Sequence, residues 1–236
     1  MKSITIGDIH GRPYWKDVNP EKYDKIIMVG DIMDSSKQPI EDNDMYFNTR
    51  NVLNFKEENP EKVVLIAGNH DLPYLFSYDF SPCSRFRRNM YPRVHELYVE
   101  KKHLFQAAFQ YKDYIWTHAG ILRAWLEIAT GLKDVPEGEG ALAKVINDLF
   151  LSKPQLVIGA GIRRGGYDLH GGPFWADMSE LMHEQDPLPI NQIVGHNRVQ
   201  DIKTYNRRFM GHSITFTDAQ DWKQEFYELE LPNVED

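Results

Sequence analysis

Short apolar runs in this chain break off into a glycine followed by side chains that bind metal ions or move protons. Ile4-Thr5-Ile6 leads into Gly7-Asp8-Ile9-His10-Gly11, and Ile26-Ile27-Met28-Val29 into Gly30-Asp31-Ile32-Met33-Asp34. Val64-Leu65-Ile66-Ala67 leads into Gly68-Asn69-His70-Asp71, Tyr114-Ile115-Trp116-Thr117 into His118-Ala119-Gly120, and Ile190 to Val194 into Gly195-His196-Asn197. Carboxylates and imidazoles delivered from several strand ends are candidate metal ligands, and glycine beside them permits tight turns and close backbone approach. Any one junction says little. The repetition carries the reading.

The elements that must position these residues follow from periodicity. Each apolar run reads as a buried strand. Asp42 to Asn59 has helical spacing through Met45, Val52 and Leu53, and Pro60 closes it, so it makes a crossover between the second and third strands. Strand, helix, strand with apolar runs predicts a largely parallel α/β sheet buried on both faces, with ligands at the carboxyl ends of its strands. Helices are also expected over Ile121 to Thr130, stopped by Gly131, and over Ala141 to Leu151. Ile158 to Pro173 holds six glycines around Arg163 and Arg164 and reads either as a mobile loop that wraps a substrate or simply as turns. Asp201 to Tyr205, Arg208 to Thr217 and Gln224 to Leu231 alternate as strands of a meander, in which His212 is structural.

Composition narrows the classes. The chain has 236 residues, 42% of them hydrophobic, enough for one domain with a large core. Residues 72–111 are expected as a substrate-facing insertion in it. Mean hydropathy of -0.53 and the lack of a long apolar run argue against a membrane span. Met1-Lys2 runs directly into the first strand without a signal peptide, which makes a cytoplasmic location the default expectation. The single cysteine, Cys83, excludes an internal disulfide and reads as a small apolar filler. A net charge of -8 repels nucleic acid and anionic membrane, so a nucleic acid partner is not expected. Arg85, Arg87, Arg88 and Arg93 among aromatics are the exception. They read either as a surface for a phosphorylated substrate or nucleic acid strand, or as a solvated face balancing nearby acids.

Taken in order, the D-x-H, G-D-x-x-D and G-N-H-D junctions and the two later histidines resemble the calcineurin-like metallophosphoesterases, in particular the branch containing the serine/threonine phosphatases and diadenosine tetraphosphatases. The resemblance runs from Lys2 to about Arg198. It implies an α/β fold of the metallophosphoesterase type, a four-layer sandwich of two mixed β-sheets flanked by helices with a dinuclear metal site at one edge. It implies two divalent ions, Mn²⁺, Fe or Zn²⁺, the first held by Asp8 and His10, the second by Asn69, His118 and His196, with Asp31 bridging both. His70 would protonate the leaving-group oxygen and Asp34 would orient His70. Two carboxylates against two divalent cations leave a formal surplus of two positive charges, so the site attracts phosphate despite the acidic chain.

The function implied is hydrolysis of phosphomonoesters, on a protein or a small metabolite, by attack of a metal-bridging hydroxide. Dinucleoside polyphosphate or phosphodiester cleavage is the alternative, and a non-catalytic scaffold of the same fold a minor one. Two departures from the family pattern stand out: Asp34 is followed by Ser35-Ser36 where Arg-Gly is usual, and Asp71 stands where Glu is common. The phosphate-binding arginine must then come from elsewhere, with Arg12, Arg163, Arg164 and Arg198 as candidates. Arg163 is the first choice, because it precedes Gly172-Pro173-Phe174-Trp175, which looks like the G-P-x-W element of some bacterial members. The sequence leaves the oligomeric state open.

Overall fold

The computed structural model describes residues 1–34, 39–77, 83–206 and 211–232. Two mixed sheets face each other with helices outside. The first sheet has strand order β3-β2-β1-β9, from β1 (Lys2–Ile6), β2 (Lys25–Met28), β3 (Val63–Leu65) and β9 (Tyr227–Glu230). The second has order β4-β5-β6-β8-β7, from β4 (Ala108–Tyr111), β5 (Tyr114–Thr117), β6 (Asn191–Val194), β7 (Lys203–Asn206) and β8 (Ser213–Phe216). The central pairs β1–β2, β2–β3, β5–β6 and β6–β8 are parallel, and the edges β9, β4 and β7 are antiparallel.

Side-chain alternation explains why the strand sequences are continuously apolar. Side chains one residue apart on a strand point to opposite faces. Ile27 and Val29, Val64 and Ile66, Trp116 and Ile193 form one cluster, which is the layer between the sheets. Their neighbours Ile26 and Met28, Val63 and Leu65, Ile115 and Val194 belong to the other cluster, which includes the helix residues Met45, Val52, Leu126 and Ile146. Both faces are therefore covered, as parallel strands require. Trp116 is fully buried and its Nε1 donates to Thr5 Oγ1 at 2.9 Å, joining the two sheets.

Helix α1 (Asp42–Glu58) is the expected crossover, and its neighbour strands are parallel as that connection demands. Helices α4 (Arg123–Thr130), ending at Gly131 in the left-handed region, and α5 (Ala141–Ser152) also match the periodicity. The stretch 72–111 supplies the short helix α2 (Leu72–Leu75), helix α3 (Tyr91–Glu100) and the edge strand β4, so its last residues belong to the second sheet. A final helix, α6 (Met178–His183), carries a capping box from Asp177 and Glu180.

One expectation is corrected. The three C-terminal strands are not a meander: β7 and β8 pair in the second sheet, whereas β9 leaves it to pair with β1 in the first. Alternating Tyr227 and Leu229 pack in the inter-sheet layer, so burial there decides the partner. Part of the expected strand 208–217, and Ser35 and Ser36, lie outside the described residues. Among the described residues no helix is long and apolar enough to cross a membrane.

Trp116→Ala should cost about 3–5 kcal/mol of unfolding free energy, the usual range for deleting a buried large aromatic side chain. Urea denaturation measures it, and a loss below about 1 kcal/mol would show that the sheets do not depend on this contact.

Candidate metal centre

The parallel strands end together, and the turns that leave them converge on one cavity of about 310 Å³, lined by Asp8, His10, Asp31, Asn69, His70, Ser84, Arg164, Trp175, His196, Arg198 and Asp218. The turns are strained where they carry functional side chains. His10, Asp31, Asp34 and His196 have φ of 47, 48, 64 and 59°, a region non-glycine residues seldom enter. Gly68 shows why glycine stands beside them: a Cβ there would collide with the backbone and carboxylate of Asp31.

Hydrogen bonds hold these turns in register. His10 N donates to Asp31 O at 2.6 Å and Gly11 N to Ile32 O at 2.7 Å, coupling the first turn to the second. Asp71, buried, accepts from Ile32 N at 3.0 Å, Gly68 N at 2.8 Å and Tyr98 Oη at 2.9 Å, coupling the second to the third. Burial, with the charge of Asp31 added, pushes the Asp71 carboxyl up to about 7. His196 N donates to the Asp8 carboxylate at 2.9 Å, which ties the last junction to the first.

Two sets of ligand-type atoms result, Asp8-His10-Asp31 and Asp31-His118-His196, with Asp31 in both. His10 Nδ1 donates to Met33 O at 2.9 Å and His118 Nδ1 to Val29 O at 2.7 Å, because a carbonyl can only accept. Burial pulls both imidazoles down, His10 to about 4, so each is neutral near pH 7 and its Nε2 carries a bare lone pair. His118 Nε2 lies 2.8 Å from Asn69 Oδ1, 3.2 Å from His196 Nδ1 and 3.5 Å from Asp31 Oδ1. His10 Nε2 lies 3.6 Å from Asp31 Oδ2 and 3.9 Å from Asp8 Oδ2.

Lone pairs facing lone pairs in a buried space are repulsive unless a cation sits among them. The carbonyls behind His10 and His118 are the usual partners that orient metal-binding imidazoles. Oxygen and imidazole donors without sulfur suit Mn²⁺, Fe or Zn²⁺. The residues therefore fit a pair of divalent ions.

Beside this set lie His70 and Asp34. His70 N donates to Asp31 Oδ1 at 2.8 Å, while its Nδ1 is 3.4 Å from Asp34 Oδ2. Tyr74 Oη donates to Asp34 Oδ1 at 2.9 Å and fixes the carboxylate. Burial works against a charged His70, but the negative charge of Asp31 and then the hydrogen bonds to Asp34 and Cys83 outweigh it and raise the imidazole well above its ordinary value. These surroundings favour the protonated form of His70.

The arginines divide. Arg164 lines the cavity, with Nε 2.8 Å from Asp177 Oδ2 and a guanidinium hydrogen bond to Asn197 Oδ1. Arg198 also lines it and pairs with Asp221 at 3.3 Å. Arg163 instead lines a separate pocket with Leu122, Leu169 and His170. Arg12 is buried, donates to the backbone oxygens of Ile9 and Asp8 and pairs with Asp221 at 2.9 Å, so it braces the first turn. The glycine-rich segment folds back on itself through Ile162 N to Asp168 O at 2.9 Å, and its 3₁₀ turn Ile162–Arg164 sends adjacent arginines different ways. In the basic patch, Arg87 bonds Ile40 O and Asp42, and Arg93 bonds Asn43 and lies 3.4 Å above the Tyr46 ring. Those two arginines are engaged with α1 and its approach.

Several residues of the site were missed in the sequence. Asp218 is buried in the cavity wall, where burial pushes its carboxyl up to about 7. It follows Ile214-Thr215-Phe216-Thr217, the same pattern of apolar run then acid without the glycine. Asn197 holds both Arg164 and, through Met178 N at 2.8 Å, the start of α6. Ser84, also missed, completes the lining together with Trp175 of the Gly172-Pro173-Phe174-Trp175 element.

A profile of the calcineurin-like phosphoesterases matches residues 1–231, and the chain belongs to that family. The family is one of metal-dependent hydrolases of phosphoesters. Among solved structures, a cold-active protein tyrosine phosphatase of a psychrophilic Shewanella species is 14% identical with a TM-score of 0.52, over 92% of this chain and 71% of that one. A point mutant described as a cold-active protein tyrosine phosphatase is 13% identical with a TM-score of 0.55 over the same shares, 92% and 71%. A serine/threonine phosphatase of Saccharomyces cerevisiae aligns over 92% of this chain and 67% of that one at 14% identity and a TM-score of 0.45. The first two likenesses establish the shared fold. No curated protein matches the chain in sequence.

Asp31→Asn should strip the site of bound metal, since Asp31 alone enters both ligand sets. Metal analysis after dialysis tests it, and a full metal complement in that variant would sink the shared-ligand assignment.

Proposed function

We propose that the chain is a metal-dependent phosphatase acting on phosphomonoesters. The observation that carries this is the proton-holding His70–Asp34 pair set directly beside the buried double ligand set that shares Asp31. Asp8, His10, Asp31, Asn69, His118 and His196 would hold two divalent ions. When bound, such ions supply Lewis acidity toward phosphoryl oxygens and acidify water.

The remaining chemistry belongs to the side chains. Arg164 and Arg198 face the cavity with guanidinium groups suited to the non-bridging oxygens of a phosphate. Asp177 and Asn197 hold the Arg164 fork in place, and Asp221 holds Arg198. His70 gives its proton to the departing oxygen as the P–O bond breaks, and Asp34, itself fixed by Tyr74, orients the ring and favours the imidazolium. The cavity is small and its lining mostly polar, which suits a phosphate with one substituent.

Trp175 favours a second reading. It is the one large aromatic among the described lining residues, and an indole can stack on a nucleobase, so a dinucleoside polyphosphate is the competing substrate.

Turnover of p-nitrophenyl phosphate, a phosphopeptide, a simple alkyl phosphate and diadenosine tetraphosphate with Mn²⁺ separates the readings. Hydrolysis of the monoesters well above the tetraphosphate is expected; the reverse ranking selects the second reading, and no turnover of any discards both. His70→Asn should keep its metals and lose about 10²–10⁴-fold in kcat on the alkyl phosphate but much less on p-nitrophenyl phosphate, whose leaving group needs no proton. Equal losses on the two substrates would remove the proton-donor role.

A further inference from the structure

Beside the dinuclear ligand set lies another convergence of donor atoms. His70 Nδ1, Asp34 Oδ2 and Cys83 Sγ fall within 4.8 Å of one another. Nδ1 to Oδ2 is 3.4 Å, Sγ to Nδ1 3.6 Å and Sγ to Oδ2 3.9 Å. Tyr74 occupies the other oxygen of Asp34, which leaves Oδ2 directed at this group. Sulfur, imidazole nitrogen and carboxylate oxygen together form a zinc donor set, with bonds of about 2.3, 2.0–2.1 and 2.0–2.2 Å. Tetrahedral coordination at those lengths separates nitrogen from oxygen by about 3.4 Å, and sulfur from either by about 3.6 Å. The observed triangle has nearly these edges before any ion enters.

We propose that Cys83, His70 and Asp34 form a third metal site, selective for a thiophilic ion such as Zn²⁺, and that filling it withdraws His70 from proton transfer. The dinuclear set contains no sulfur, so a soft ion separates the two: Cd²⁺ favours the thiolate, whereas oxygen and imidazole suit Mn²⁺, Fe or Zn²⁺. On binding, the Sγ–H bond of Cys83 and the Nδ1–H bond of His70 break and both protons pass to solvent. The freed electron pairs of sulfur and nitrogen form the bonds to the ion. What remains on His70 is the Nε2–H of a metal-bound imidazole, a far weaker acid than imidazolium. Burial pushes the Cys83 thiol up, so the thiolate forms only as the ion arrives, and the site releases it on chelation. The binding claim stands independently of the phosphatase reading. Only the inhibitory consequence rests on it.

Cys83 is the single cysteine, so any thiolate-to-metal charge-transfer absorption reports this site alone. The experiment uses the reduced full chain with Mn²⁺ already bound, titrated with Cd²⁺ and followed in the ultraviolet. An equimolar endpoint is expected, abolished in Cys83→Ser and reversed by Zn²⁺. His70→Ala should weaken Cd²⁺ binding at least as much as the roughly 10–100-fold that losing a partner behind a metal ligand costs. No band in the wild type, or an unchanged affinity in His70→Ala, which would mean a thiol acting alone, overturns the site. In kinetics, one equivalent of Cd²⁺ should slow the alkyl phosphate far more than p-nitrophenyl phosphate in the wild type and not in Cys83→Ser. Equal inhibition of the two proteins overturns the regulatory consequence. A chain that shows the cadmium band but hydrolyses nothing refutes the phosphatase reading and leaves the site standing.

Discussion

Asp31 is the residue on which the rest converges. Its carbonyl receives His10 N, one carboxylate oxygen receives His70 N and lies against His118, and the other lies 3.6 Å from His10. It does this from a left-handed backbone with no side chain on Gly68 in its way. Such a conformation costs about 1–3 kcal/mol and persists only where the surroundings over-determine it. Here the Asp71 bridge between the second and third turns provides that constraint, and α3 contributes through Tyr98. The helix therefore supports the cavity without lining it.

Electrostatics explain why the site is built this way. Burial disfavours charge on Asp8, Asp34, Asp71 and Asp218, and each is pushed above the ordinary carboxylate range. Asp31 alone among this group is lowered: burial opposes it, but His118, His70 and His10 outweigh burial. Of these carboxyls, the one whose charge its surroundings favour is the one common to both ligand sets, where compensation by cations is most effective.

Much of this was legible in the sequence because both faces of the parallel strands are buried, which makes the strands continuous apolar runs and their ends abrupt. The junction ligands and the α1 crossover follow directly from that. What was not legible depends on facts that a linear pattern does not encode. Arg163 and Arg164 are adjacent and chemically equal, and only the turn at Ile162–Arg164 decides which one enters the cavity. The alternation of Tyr227 and Leu229 announces a strand but not its sheet, since β1 lies more than two hundred residues away. Asp218 escaped notice for want of a glycine before it. Cys83, expected as filler, is half-buried against His70, because its neighbourhood is assembled from three separate turns.

The bond from His196 N to Asp8 spans 188 residues, and β9 must reach back to β1 to complete the first sheet. Contacts this distant in sequence are slow to close, because the entropy of the intervening loop is lost before they reward it. His196 and β9 lie far downstream of β1 to β3 and α1 in the chain, so the first strands are synthesised well before the strand that covers β1. Until β9 is in place, the edge of β1 that it covers has no strand partner. Strand-edge pairing with other chains is therefore the hazard of that interval.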